Sequence, residues 1–179
     1  MKYTRTAMTL HWLIALLIFV VFPLGIYMHE LPLSPIKLKL YSYHKWIGIT
    51  IFTLTLLRLL WRTLHQPPAL PPSISRWQQT ASRIAHYLLY ALLIAVPVSG
   101  WLMSSAKGVQ TVWFGTLPLP DMVPRDKALG ELLNTVHKGL NITLLTLVVV
   151  HFLAGLKHHF VDRDGVMSRM LFTNKIKPS

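Results

Sequence analysis

The sequence predicts an all-α protein, a four-helix transmembrane bundle, and three observations carry that expectation. Hydrophobic residues fill 53% of the 179 positions and charged residues 13%, with a mean hydropathy of +0.46. Such a chain is too apolar for a disordered segment and too charge-poor for a soluble domain. Four apolar stretches, residues 10–28, 46–61, 84–103 and 140–156, approach the about 20 residues that a helix rising about 1.5 Å per residue needs to cross a bilayer. Finally, the 18 lysines and arginines, which against six acids leave a net charge of +12, gather at the ends of these stretches. Long basic side chains reach the headgroups from there, whereas a nucleic-acid surface would show a basic stripe on a soluble domain.

With interfacial ends included, the expected helices cover about 9–28, 44–63, 83–103 and 135–158 of a single domain over 1–179. Lys2 and Arg5 precede the first apolar run as in a secretory signal. The run is long, however, and leads into Pro23-Leu24-Gly25-Ile26-Tyr27-Met28 without a small-x-small cleavage site, so it reads as a retained first helix. The second stretch is short and contains Arg58; it is extended from His44 to Arg62, where polar side chains reach the interface. Three connectors are rich in proline, which cannot continue a helix: 31–43 with Pro32 and Pro35, 66–75 with Pro67, Pro68, Pro71 and Pro72, and 118–124 with Pro118, Pro120 and Pro124. No internal repeat or low-complexity tract is visible.

Basic flanks set the orientation. One side collects Lys2, Arg5, Arg58, Arg62, Arg76, Arg83, Lys157, Arg163, Arg169, Lys175 and Lys177, and the other Lys37, Lys39, Lys45, Lys107, Arg125, Lys127 and Lys138. Eleven against seven favours both termini in the cytoplasm.

Without cysteine, thiolate metal sites, iron–sulfur clusters and disulfides are excluded, and metal chemistry falls to the nine histidines. His137 and His151 are 14 residues apart on the fourth helix, about 21 Å of rise with a net rotation of about 40°. Both imidazoles therefore share one face, one near each membrane surface. His44 lies at the depth of His137, and His11 at the depth of His151. A lone histidine in a membrane helix is more often hydrogen-bonding glue than a ligand. Four that match in depth as two pairs suit a planar cofactor held from both sides, whereas zinc or copper wants three or four ligands converging on one point. Two haems are the expectation.

Arg58, 14 residues after His44, faces inward at the depth of the His11/His151 pair, where haem propionates need a cation. Gly25, 14 after His11, leaves room for a macrocycle at the other depth. Gly48 and Gly155 lie one turn from His44 and His151 on the same faces; such glycines also serve helix packing. His86 and Gly100 repeat the spacing. His86 is a substitute ligand at the cytoplasmic level, a propionate or quinone contact, or packing, and a non-ligand role is preferred because His11 and His151 already complete a pair. His158 and His159 reach the cytoplasmic interface, where solvation alone accounts for at least one of them, yet a quinone headgroup bound near the inner pair would need a donor at that depth. His29 and His65 read as interfacial.

Leu10-His11-Trp12-Leu13, His44 with Gly48, Arg58-Leu59 through Arg62, Pro97-Val98-Ser99-Gly100-Trp101, His137 with His151, and Lys157-His158-His159-Phe160 occur in this order. In these residues the chain resembles the bacterial cytochrome b561 family over nearly its whole length. The resemblance implies an inner-membrane protein with two non-covalent b-type haems, ligated by His11/His151 and His44/His137, that moves electrons between ubiquinone and a partner on the other side. It also implies a quinone contact at His158 and a small outer donor such as superoxide. The outer segment 107–131, with Trp113-Phe114-Gly115, looks like a diverged form of the family's outer cap. Nucleic acid is not an expected partner. The alternatives are a cytochrome b anchor subunit of a dehydrogenase or hydrogenase and, more remotely, a haem-free small membrane transporter.

Overall fold

A computed structural model describes residues 2–69, 71 and 74–172. Four helices dominate: α1 (Arg5–Glu30), α2 (Pro35–Leu64), α3 (Arg76–Ala106) and α4 (Lys127–Lys157). All four are long and apolar enough to cross a membrane. They run up and down, so that the start of α1 meets the ends of α2 and α4, as the contacts Arg58–Ala7 and His11–His151 require.

Every helix is longer than its apolar run. α2 begins at Pro35 rather than His44, so most of the expected 31–43 connector is helical; Ser34 Oγ accepts the Lys37 N–H at 3.2 Å, and Pro35 falls at the first helical position, where no N–H is needed. α3 begins at Arg76 rather than 83, under a reciprocal Ser75/Gln78 capping box. α4 begins at Lys127 rather than 135, with Asp126 Oδ1 accepting the Leu129 N–H at 3.0 Å. α1 begins at Arg5 rather than 9, capped by Thr4 Oγ1. Hydropathy marks the lipid-crossing part of a helix; the caps mark where its hydrogen bonding starts, one or two polar turns outside. The 66–75 connector is non-helical where described. Pro72, Lys175 and Lys177 lie outside the described residues.

Between α3 and α4, a ribbon of two-residue strands, β1 (Val112–Trp113) and β2 (Leu117–Pro118), pairs antiparallel in the register Val112 to Pro118 and Trp113 to Leu117. Its turn holds Phe114 at φ 51° and Gly115 at φ 71°, the positive values a primed hairpin turn needs. Indole N–H groups tie this segment to the helices: Trp46 donates to the Val112 carbonyl at 2.6 Å and Trp101 to that of Pro120 at 3.0 Å. At the opposite end Trp61 donates to Thr4 Oγ1 and Trp12 to the Met170 carbonyl, each at 2.8 Å.

The core is a waist halfway along the bundle. Ile14 and Ile18 of α1, Ile51 of α2, Leu89, Leu92 and Leu93 of α3 and Leu144 of α4 form one buried cluster. Outward apolar side chains such as Phe19 and Leu60 stay exposed, as a lipid-facing surface requires. The waist separates two levels at which histidines face inward.

Candidate functional site

At the level toward the β-ribbon, the His44 ring on α2 and the His137 ring on α4 have centres 6.4 Å apart at 80°. At the level toward the termini, His11 of α1 and His151 of α4 are 6.2 Å apart at 84°. Two imidazoles binding one metal from opposite sides, with about 2.0 Å per bond and about 1.1 Å from nitrogen to ring centre, have centres about 6.2 Å apart. Both pairs fit this span. His86 of α3 lies 5.3 Å from His151, too close for such a bridge, which leaves it beside the pair.

The chemistry of the donor set also fits. Ser99 Oγ–H donates to the Val96 carbonyl at 2.8 Å, and His137 Nδ1 lies 2.9 Å from Ser99 Oγ and 3.1 Å from the same carbonyl. A carbonyl only accepts, so Nδ1 carries the proton and Nε2 keeps its lone pair for a metal. The ring comes this close because Gly100 has no side chain: a Cβ there would stand 3.0 Å from His137 Cε1. Gly25 does the same for His44, at 3.1 Å from Cε1. This corrects the macrocycle expectation for Gly25, whose space is taken by an imidazole. His44 Nδ1 is buried without a hydrogen bond of good geometry. Gly48 and Gly155, by contrast, face open space.

Arg58 stands at the expected level, with Nε donating to Tyr90 Oη and Nη1 to the Ala7 carbonyl, both at 3.0 Å. Arg62 lies over the same Tyr90 ring. The tyrosine was not singled out by the sequence. Beyond His151, α4 passes into a π-helical turn, His158–Asp162. There His158 Nδ1 lies 2.5 Å from Asp164 Oδ2 and 3.3 Å from Asp162 Oδ2. His159 is exposed against Phe160, His65 stacks on Trp61 at 3.9 Å, and His29 contacts Glu30 and Lys138.

Sequence reasoning missed Ser99, Asp164 and Tyr90 as site residues. Pro97-Val98-Ser99-Gly100 was visible as a motif, but a hydroxyl three residues after a helical carbonyl shows its direction only once the neighbouring helix is placed. The three donors of His158, Asp162 and Asp164 lie within 4.8 Å of one another; Lys157 Nζ, at 2.7 and 2.6 Å from the two Asp162 oxygens, already balances that carboxylate.

Antiparallel membrane helices that present opposed imidazole pairs define a class, the membrane-bound b-type cytochromes. The model of the prokaryotic cytochrome b561 family matches residues 2–173, and the chain belongs to that family. It is 34% identical over 171 residues to Cytochrome b561 homolog 2 of Escherichia coli (strain K12), covering 95% of this chain and 91% of the relative. It is 26% identical to Probable superoxide oxidase CybB of Yersinia pestis, over 95% of this chain and 96% of the relative. Cytochrome b561 homolog 1 of Escherichia coli (strain K12) is 24% identical, over 95% and 97%. The family carries haem b and transfers electrons in the membrane, which removes the haem-free transporter reading.

Proposed function

We propose that this chain is a two-haem cytochrome that oxidises a small donor at the β-ribbon end, superoxide above all, and reduces ubiquinone at the termini end, in a bacterial inner membrane with both termini cytoplasmic. The observation that carries the reading is the pair of separations, 6.4 Å for His44/His137 and 6.2 Å for His11/His151. Two superoxide anions would each give up one electron and become dioxygen, and one ubiquinone would take two electrons and two protons. Bound haem supplies reversible one-electron chemistry at its iron.

The remaining work belongs to side chains. His11 and His151 would hold one haem and His44 and His137 the other, with Ser99 and Val96 fixing the His137 tautomer. Arg58 would bind a propionate, and the open face of Gly48 leaves space beside His44. His158 and His86 are the contacts proposed for the quinone. At the outer end Lys37, Lys39, Lys45, Lys107, Arg125, Lys127 and Lys138 outnumber Glu30, Asp121, Asp126 and Glu131 by seven to four, a surface that would raise the local concentration of a small anion. The name of the Yersinia pestis relative supports superoxide as the donor.

The test is the optical spectrum of detergent-purified chain, oxidised and dithionite-reduced, with haem quantitation and alanine variants at His11, His44, His137 and His151. Two haems per chain with bis-histidine spectra, each lost with either member of its pair, are expected. One haem, or variants that lose haem in another grouping, would overturn the ligation. Superoxide-dependent ubiquinone reduction by the isolated chain separates this reading from an anchor subunit, which needs its catalytic partner.

A further inference from the structure

The end of α4 is built in a way that helix termination alone does not explain. After Lys157 the hydrogen bonding widens into the π-helical turn His158–Asp162, Arg163 adopts the left-handed conformation at φ 50°, and Gly165 follows at φ 77°. A π turn is uncommon and is often found at functional sites, and left-handed backbone at a non-glycine residue costs energy that the surroundings must offset. The reversal brings Asp164 back onto His158. Asp164 is fixed at both oxygens: Oδ1 accepts the Val166 N–H at 3.0 Å, and Oδ2 sits 2.5 Å from His158 Nδ1. Its side chain is 9% exposed and that of His158 22%. Asp162 also approaches Nδ1, at 3.3 Å, but is paired with Lys157. The groups facing His158 are therefore one carboxylate committed to it and one already balanced.

His158 follows His151 by seven residues, about two helical turns, so it starts from nearly the same face about 10 Å further toward the membrane surface. A cavity of about 480 Å³, lined by Ile74, Gln78, Asp162, Arg163 and Asp164, lies against the two acids that face His158. Its polar lining suits water.

We propose that His158 and Asp164 form the proton-delivery dyad for quinone reduction, with Asp164 the positioning residue that holds Nδ1–H and leaves Nε2–H to donate. This rests on the reading that ubiquinone is reduced at this end. The imidazolium gives its Nε2 proton to a quinone oxygen; that N–H bond breaks, an O–H bond forms, and the ring is left neutral with Nδ1–H on Asp164. Solvent reaching the partly exposed ring restores the Nε2 proton, and the second proton follows the same route. The two electrons come from the outer donor.

Haem-loaded full chain with ubiquinone-1 as the probe tests this. Asp164→Asn is expected to lower kcat for quinone reduction by about 100-fold, the lower range for loss of general acid catalysis. Its dissociation constant for ubiquinone-1 should change less than twofold, its haem content and haem reduction without quinone should match the wild type, and its solvent deuterium isotope effect should rise. Asp164→Glu should recover most of the rate. Wild-type kcat in Asp164→Asn would overturn the dyad, as would a parallel loss of haem and quinone binding, which marks a purely structural carboxylate. Failure of the wild-type chain to reduce ubiquinone-1 would overturn the functional reading and the dyad together.

Discussion

Gly100 of α3 and His137 of α4 are in a contact that admits no side chain: a Cβ on Gly100 would meet His137 Cε1 at 3.0 Å. Gly25 and His44 repeat it across α1 and α2 at 3.1 Å. In each helical hairpin a glycine sets how far the neighbouring imidazole stands from its backbone, and so where its metal-facing nitrogen lies.

Gly100→Ala should therefore push His137 by a few tenths of an ångström while improving helix propensity by about 1 kcal/mol. The expected result is a well-folded protein whose outer haem binds about 10-fold more weakly, the lower end of what displaced support for a ligand costs. Haem titration of the apoprotein measures it; an unchanged outer affinity would show that the ring is free to adjust.

Ser99→Ala removes one of the two acceptors of His137 Nδ1–H, leaving the Val96 carbonyl at 3.1 Å. The tautomer persists, but the imidazole becomes a weaker electron donor, so the ferric state loses stabilisation. Potentiometric titration should find the outer haem shifted upward by tens of millivolts, on the order of one neutral hydrogen bond, with the inner haem unmoved.

Arg58→Gln removes the cation at the inner level together with its bonds to Tyr90 and Ala7. Reduction of a haem beside a missing positive charge is harder, so the inner potential should fall by tens of millivolts or more. Arg58→Lys should restore only part of it, because an ammonium lacks the guanidinium fork.

His86→Ala separates a neighbour from a ligand. With His86 5.3 Å from His151 and His11 at 6.2 Å, the variant should retain two bis-histidine haems while His11→Ala retains one. Loss of the inner haem in His86→Ala would reassign the pair.

Steering at the outer end should depend on the summed charge of its side chains, which a hydrogen bond to a neutral carbonyl does not remove. Lys45 Nζ donates to the Val109 carbonyl and Lys37 Nζ to the His29 and Leu31 carbonyls, while Lys107 pairs with Glu131. Replacing Lys39 and Lys127 by glutamine should lower the superoxide reaction rate several-fold at low salt and flatten its salt dependence. Equal rates across the salt range would end the steering idea.

Spans, histidine levels and the inward placement of Arg58 were legible in the sequence because each follows from helical periodicity, which a 14-residue spacing reports almost undistorted. The start of α2 was not, because Pro35 reads alike as a connector residue and as a first helical residue until Ser34 is seen capping the turn. Asp164 was hidden for another reason: its contact with His158 depends on a widened turn and a left-handed Arg163, and neither has a residue-type signature. The role of Gly25 was misread because spacing gives the face of a helix and says nothing about which neighbour fills the space.

The waist of Ile14, Ile18, Ile51, Leu89, Leu92, Leu93 and Leu144 puts a layer of aliphatic side chains between the two histidine levels. An electron can tunnel past such a layer, but aliphatic side chains carry no proton. In the proposed orientation each turnover therefore moves uncompensated negative charge inward, against a potential that is negative inside. The opposing work approaches about 2.3 kcal/mol per electron for each 100 mV when the whole field is crossed. A voltage across the membrane becomes a brake on the enzyme, and turnover in turn charges the membrane.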